Sequence, residues 1–103
     1  MWAQLITAHL KPGKEQELKR LIEELREAEQ PDSGLVRSLA LQDQKDPSRV
    51  QFLVVFESEE KARLREQDTR RQAGLDAVRA TMAELFDGPM EFADLTVVNE
   101  FVP

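Results

Sequence analysis

The stretch VQFLVVF, Val50–Phe56, constrains the chain more than any other, because it is apolar on both parities of an extended backbone. Alternate side chains of a strand point to opposite faces of its sheet, so such a strand must be covered twice. The rest of the chain supplies only two helical regions, which can cover one face. The other face would expose Leu53 and Val55, or Val54 and Phe56, according to which parity meets the helices. An exposed apolar sheet face of several hundred Å² is rare on a monomer. The sequence therefore predicts a partner sheet, most simply that of a second copy in a symmetric homodimer.

The order of elements agrees. WAQLITAHL, ended by Lys-Pro-Gly, predicts a strand over about residues 2–10. Leu18, Leu21, Ile22, Leu25 and Ala28 then recur at the spacing of an amphipathic helix, which GlnProAspSerGly ends. LVRSLALQ alternates as a strand, Lys-Asp-Pro-Ser makes a turn, and VQFLVVFE is the next strand. Ser58, followed by Glu59 and Glu60, is placed to cap a second helical region. That region reaches to about Phe86, with Gly74 as the expected break between two pieces. MEFADLTVVNEFV reads as a last strand. Strand, helix, strand, strand, helix, strand is the split βαβ order of an α+β, ferredoxin-like fold, a four-stranded antiparallel sheet with helices on one face. Residues 1–103 are expected to form a single domain, since domains typically run roughly 100–150 residues.

Charge and composition exclude several functions. Twenty acidic residues against 14 basic ones leave a net charge of −6, the wrong sign for a phosphate backbone, so no nucleic-acid partner is expected. The absence of cysteine excludes disulfides, thiolate catalysis and cysteine-ligated metals. The N-terminal residues lack the order of a signal peptide, and the longest apolar run, FLVVF, is far below the ~20 residues that span a bilayer. Neither membrane association nor a metal is expected, and the default compartment is the cytoplasm.

LKPGKEQELKRLIEEL, SGLVRSLALQDQKDPSRVQFLVVFESEEKARL and a Gly-Pro before the final strand resemble the antibiotic biosynthesis monooxygenase family of dimeric α+β barrels. The resemblance covers nearly the whole chain. It implies a homodimer through the sheet face, with a cleft between helices and sheet in each protomer. It also implies oxidation of a small phenol or quinol by O₂ without metal, flavin or other cofactor; a related branch degrades haem. Enzymes of the family typically carry an asparagine on the first strand, a tryptophan near the end of the third and a histidine on the second helix. The matching positions here are Ile6 and Phe56, and the second helical region has no histidine, only ArgGluGlnAspThrArgArg. A non-catalytic dimeric domain of the same fold, structural or binding a small apolar molecule, is the alternative function.

The candidate residues follow. His9 is the only histidine, hence the only side chain whose ordinary pKa suits proton transfer near neutrality. If Ile6 and Phe56 face the cleft, alternation turns His9 to the opposite face. Asp68 and Arg71, three apart on the second helical region, form a possible base and anion holder, with Arg37 across the cleft. An aspartate near pKa ~3.9 is a weak base towards a phenol near ~10 unless burial raises it, and a solvated, ion-paired helix face accounts for the pair as well. Ile6, Arg37, Phe52, Phe56 and Met82 are the candidate pocket residues, although core packing would explain the apolar ones equally. Trp2 is expected to stay partly exposed unless a partner or ligand covers it.

Overall fold

The computed structural model describes all of residues 1–103. Four antiparallel strands, β1 (Trp2–His9), β2 (Leu35–Gln42), β3 (Arg49–Phe56) and β4 (Glu91–Thr96), form one sheet in the order β2-β3-β1-β4. Helices α1 (Leu18–Ala28), α2 (Glu59–Glu66) and α3 (Thr69–Leu85) connect them, α1 following a short 3₁₀ turn at Glu15–Glu17. This is the α+β ferredoxin-like arrangement that the element order predicts. No helix is long and apolar enough to cross a membrane.

Register decides which parity meets the helices. Ile6 lies opposite Phe52 and Phe92, and Ala8 opposite Val50. Ala8, Val50 and Phe52 pack with Leu21 of α1 and with Val78 and Leu85 of α3, where Leu21 and Leu85 are almost wholly inaccessible. Each buried leucine stabilises the fold by about 1.5–3 kcal/mol. The opposite parity faces away from the helices. Leu39, Leu53, Leu5 and Ala93 make one row across that outer face, and Arg37, Val55, Ala3 and Leu95 the next. Of the two alternatives, the pair facing away from the helices is Leu53 and Val55, of which Leu53 is partly exposed and Val55 already buried within one chain.

A smaller cluster closes the far end of the sheet. Trp2 and Phe56 pack with Ala62 of α2, their ring centroids 6.0 Å apart, and the Arg63 guanidinium sits 5.1 Å from the Trp2 ring centre. Trp2 is consequently only 9% exposed within one chain, against the expectation that a partner or ligand would be needed to cover it.

Three boundaries differ from the sequence reading. Leu10 extends β1 only as a single bridge to Phe86. The last strand ends at Thr96, so residues 97–103 are not strand. The second helical region breaks at Gln67–Asp68, not at Gly74, through which α3 runs unbroken. Asp68 has an extended backbone and its carboxylate accepts a hydrogen bond from the Arg70 N–H, starting a new helix. Gly74 instead serves packing: a Cβ there would lie 3.1 Å from the Ala28 Cβ of α1. Ser58 caps α2 as its position suggests, accepting from the Lys61 N–H.

Candidate active site: an apolar cleft with an arginine rim

Small side chains on one strand leave space under the helices. On β2 the positions that face the helices are Ser38, opposite Val54, and Ala40, opposite Phe52. Neither fills the gap above it. The result is a cleft of about 560 Å³ between helices and sheet, within the usual range for small-molecule pockets. Ile6, Phe52 and Val54 floor it, and Leu25 of α1 with Val78 and Met82 of α3 form its walls.

Its charged lining is one-sided. Arg26, Arg65, Arg71 and Arg79 border the cleft with a single acid, Glu29, an excess of three positive charges in a chain whose formal net charge is −6. Glu29 caps the C-terminal end of α1 and accepts from Arg65 of α2 through both carboxylate oxygens. Burial pushes the Glu29 carboxyl up, but the hydrogen bonds from Arg65 and Ser33 outweigh it and hold the group below its ordinary value. Arg71 has no hydrogen-bonded or ion-paired partner; burial and the nearby Arg65 charge both lower its pKa. A half-buried guanidinium still remains charged at neutral pH.

The expected site residues separate. Ile6, Phe52, Met82 and Arg71 line the cleft. Phe56 shares their sheet face but lies beneath α2 against Trp2, because α2 covers that end of the sheet. Arg37 follows an irregularity at Leu35–Arg37 and stands opposite Val55 on the outer face, so it cannot reach the cleft. Asp68 lies outside the cleft: it caps α3 and pairs with Arg70, Nη2 to Oδ2 2.7 Å. The Arg70 side chain and N–H groups lower its carboxyl to about 2, away from the range a base towards a phenol needs. His9 is exposed, shares the outward parity of Leu5 and pairs across the sheet with Arg49. The sequence reading missed Arg26, Glu29, Arg65 and Arg79. Their convergence comes from the crossing of three helices, for which no linear spacing is a signal.

Chemically, the cleft presents apolar walls and positive charge at its rim. No imidazole or thiol lines it, and its one carboxylate is already paired. It is built to hold an anion, not to receive a proton.

The sequence profile of the family described as antibiotic biosynthesis monooxygenase matches residues 1–81. No curated protein sequence matches the chain. Among solved structures, a variant of MhuD with two manganese protoporphyrin IX molecules bound per active site superposes with a TM-score of 0.80 at 16% identity, covering 100% of both chains. A Nitrosomonas europaea protein assigned to antibiotic biosynthesis monooxygenases has a TM-score of 0.74 at 17% identity, over 96% of this chain and 100% of the other. Rv0793 from Mycobacterium tuberculosis has a TM-score of 0.71 at 14% identity, over 96% of each chain. At such identities these likenesses speak to the fold, while the profile match spans most of the sequence. The chain belongs to the antibiotic biosynthesis monooxygenase family.

Proposed function

We propose that the protein is a cofactor-independent oxygenase of small hydroxylated aromatic molecules. One observation carries this reading: the space between helices and sheet is an open apolar cleft edged by positive charge, not one filled by core side chains. Oxygenation without a cofactor needs an electron-rich substrate anion, since a phenolate or the related carbanion passes an electron to O₂ far more readily than the neutral form. Arginine at the cleft favours the ionised substrate, and apolar walls strengthen that attraction by lowering the local dielectric. The displaced proton passes to solvent at the open rim. For a phenol with an activated ring methylene, carbon–oxygen bond formation followed by loss of water balances as CH₂ plus O₂ giving C=O plus H₂O.

Haem, whose manganese analogue the MhuD variant binds, fits this lining poorly. The chain has no cysteine or tyrosine, and its one histidine stands on the opposite sheet face, so none of the usual anionic or imidazole axial ligands faces the cleft.

The second reading, a domain that binds such molecules without transforming them, draws support from the paired state of Glu29 and the position of Asp68 outside the cleft. Oxygen uptake with a panel of quinols and polycyclic phenols, followed by ¹⁸O₂ labelling of the product, separates the two. Uptake with one labelled atom in the product supports oxygenation; tight binding without uptake supports the binding role.

The working unit is proposed to be a homodimer in the cytoplasm. Leu39, Leu41 and Leu95 are each at least 40% exposed on the outer face, next to Leu5 and Leu53, and burial of such a surface is worth roughly 25 cal/mol per Å². A second copy meeting this face would also supply the second cover that VQFLVVF demands.

A further inference from the structure

We propose that the ligand of this cleft is an organic acid, a flat apolar body whose carboxylate is held by Arg71. The inference rests on the cleft being the ligand site. Its first support is the isolation of Arg71 among the arginines of α2 and α3 nearby. Arg63 pairs with Glu59, Glu66 and Asp94, Arg65 with Glu29, and Arg70 with Asp32 and Asp68. Arg71 pairs with nothing, although it is more enclosed than Arg70 and sits beside the positive Arg65. The acids that reach it by charge alone, Glu29 and Glu66, are themselves paired with Arg65 and Arg63, so a half-buried guanidinium is left with unmade hydrogen bonds that an anion would supply.

Its second support is direction. Arg71, Leu75, Val78 and Met82 recur at helical spacing and all line the cleft, so they form one stripe along α3. The charge stands at the N-terminal end of that stripe, and Val78 lies about 10 Å further along the helix axis at 1.5 Å per residue. A molecule lying along the stripe has its acid at one end and fused rings against Leu75, Val78 and Met82. Guanidinium geometry suits a carboxylate, which accepts two parallel hydrogen bonds from it. Electrostatics point the same way: a positive cleft in an acidic chain focuses small anions towards itself.

Calorimetric titration of the full chain with 2-naphthoate and with its uncharged methyl ester tests this. The wild type is expected to bind the acid at least tenfold more tightly than the ester. Arg71→Gln should lose that preference while binding the ester within twofold of wild type, and Arg71→Lys should keep part of it. Arg70→Gln, one residue away but outside the cleft, should leave acid binding unchanged. Equal affinity for acid and ester in the wild type, or a preference that survives Arg71→Gln, would overturn the role of Arg71 and leave the cleft as a ligand site intact. Binding of neither compound would overturn both.

Discussion

Arg65 donates from Nε to both carboxylate oxygens of Glu29, 3.1 Å to each, and so ties α2 to the end of α1 across 36 residues of sequence. The same guanidinium lies 5.1 Å from the centre of the Phe56 ring. One side chain thus joins the rim of the cleft to the aromatic cluster at the end of the sheet. It also pairs with the only acid in the lining, so Glu29 acts on Arg71 at a distance and forms no ion pair with it.

Glu29→Gln is expected to lower stability by about 1–2 kcal/mol at pH 7, the range for a hydrogen-bonded ion pair discounted for its partial exposure. The folded carboxyl ionises below its ordinary value of 4.5. The pair therefore stabilises the fold fully above that value and loses its contribution as pH falls through the lower, folded one. Urea denaturation at pH 7 and pH 3 checks this, because the gap between wild type and Glu29→Gln should narrow in acid.

Asp68→Ala should lower the melting temperature by removing the cap that starts α3, and should leave oxygen uptake and ligand binding unaltered. With a carboxyl at about 2, the cap is fully ionised down to roughly pH 3 and is lost only as pH falls through that value, below the ordinary 3.8. Loss of activity in a variant that still folds would make Asp68 the base it is here said not to be.

Gly74 marks the contact of α3 with Ala28 of α1. Gly74→Leu should force the helices apart and cost about 1–3 kcal/mol in denaturant unfolding. Gly74→Ala sets a helix-propensity gain of about 1 kcal/mol against a 3.1 Å contact and should change stability less.

Leu39 is 42% exposed in one chain, so a charge there has little effect on a single folded domain. On a dimer whose sheets meet, Leu39→Glu places that charge in the interface. Sedimentation equilibrium should find a dimer for the wild type and a monomer for the variant, with unchanged far-UV circular dichroism.

Much of the fold was legible because period and punctuation agree. Lys-Pro-Gly ends β1, the Leu18–Ala28 spacing makes α1, and the double-sided VQFLVVF makes β3 an inner strand of the sheet. The misreading at Gly74 has a local cause: glycine weakens a helix by propensity, but here a close helix crossing requires it. Asp68, three residues from Arg71, resembled half of a catalytic pair, while its backbone role as a cap depended on the break that Gly74 had wrongly claimed. The site was less legible than the fold. The family resemblance places Ile6, and Phe52 and Met82 read only as pocket or core alike, whereas Phe56 depends on how far α2 reaches over the sheet. Arg37 depends on an irregularity in β2, and the arginine rim on how three helices converge.

Oxygenation, if it occurs, needs the empty space of the cleft. Ser38→Trp, on an exposed β2 position that faces the helices, would fill that space without disturbing the core. With a hydroxylated polycyclic acid that the wild type oxidises, oxygen consumption should fall at least tenfold in Ser38→Trp while the melting temperature stays within a few degrees. Undiminished consumption by the filled variant, or none by the wild type with any phenol tried, would contradict it.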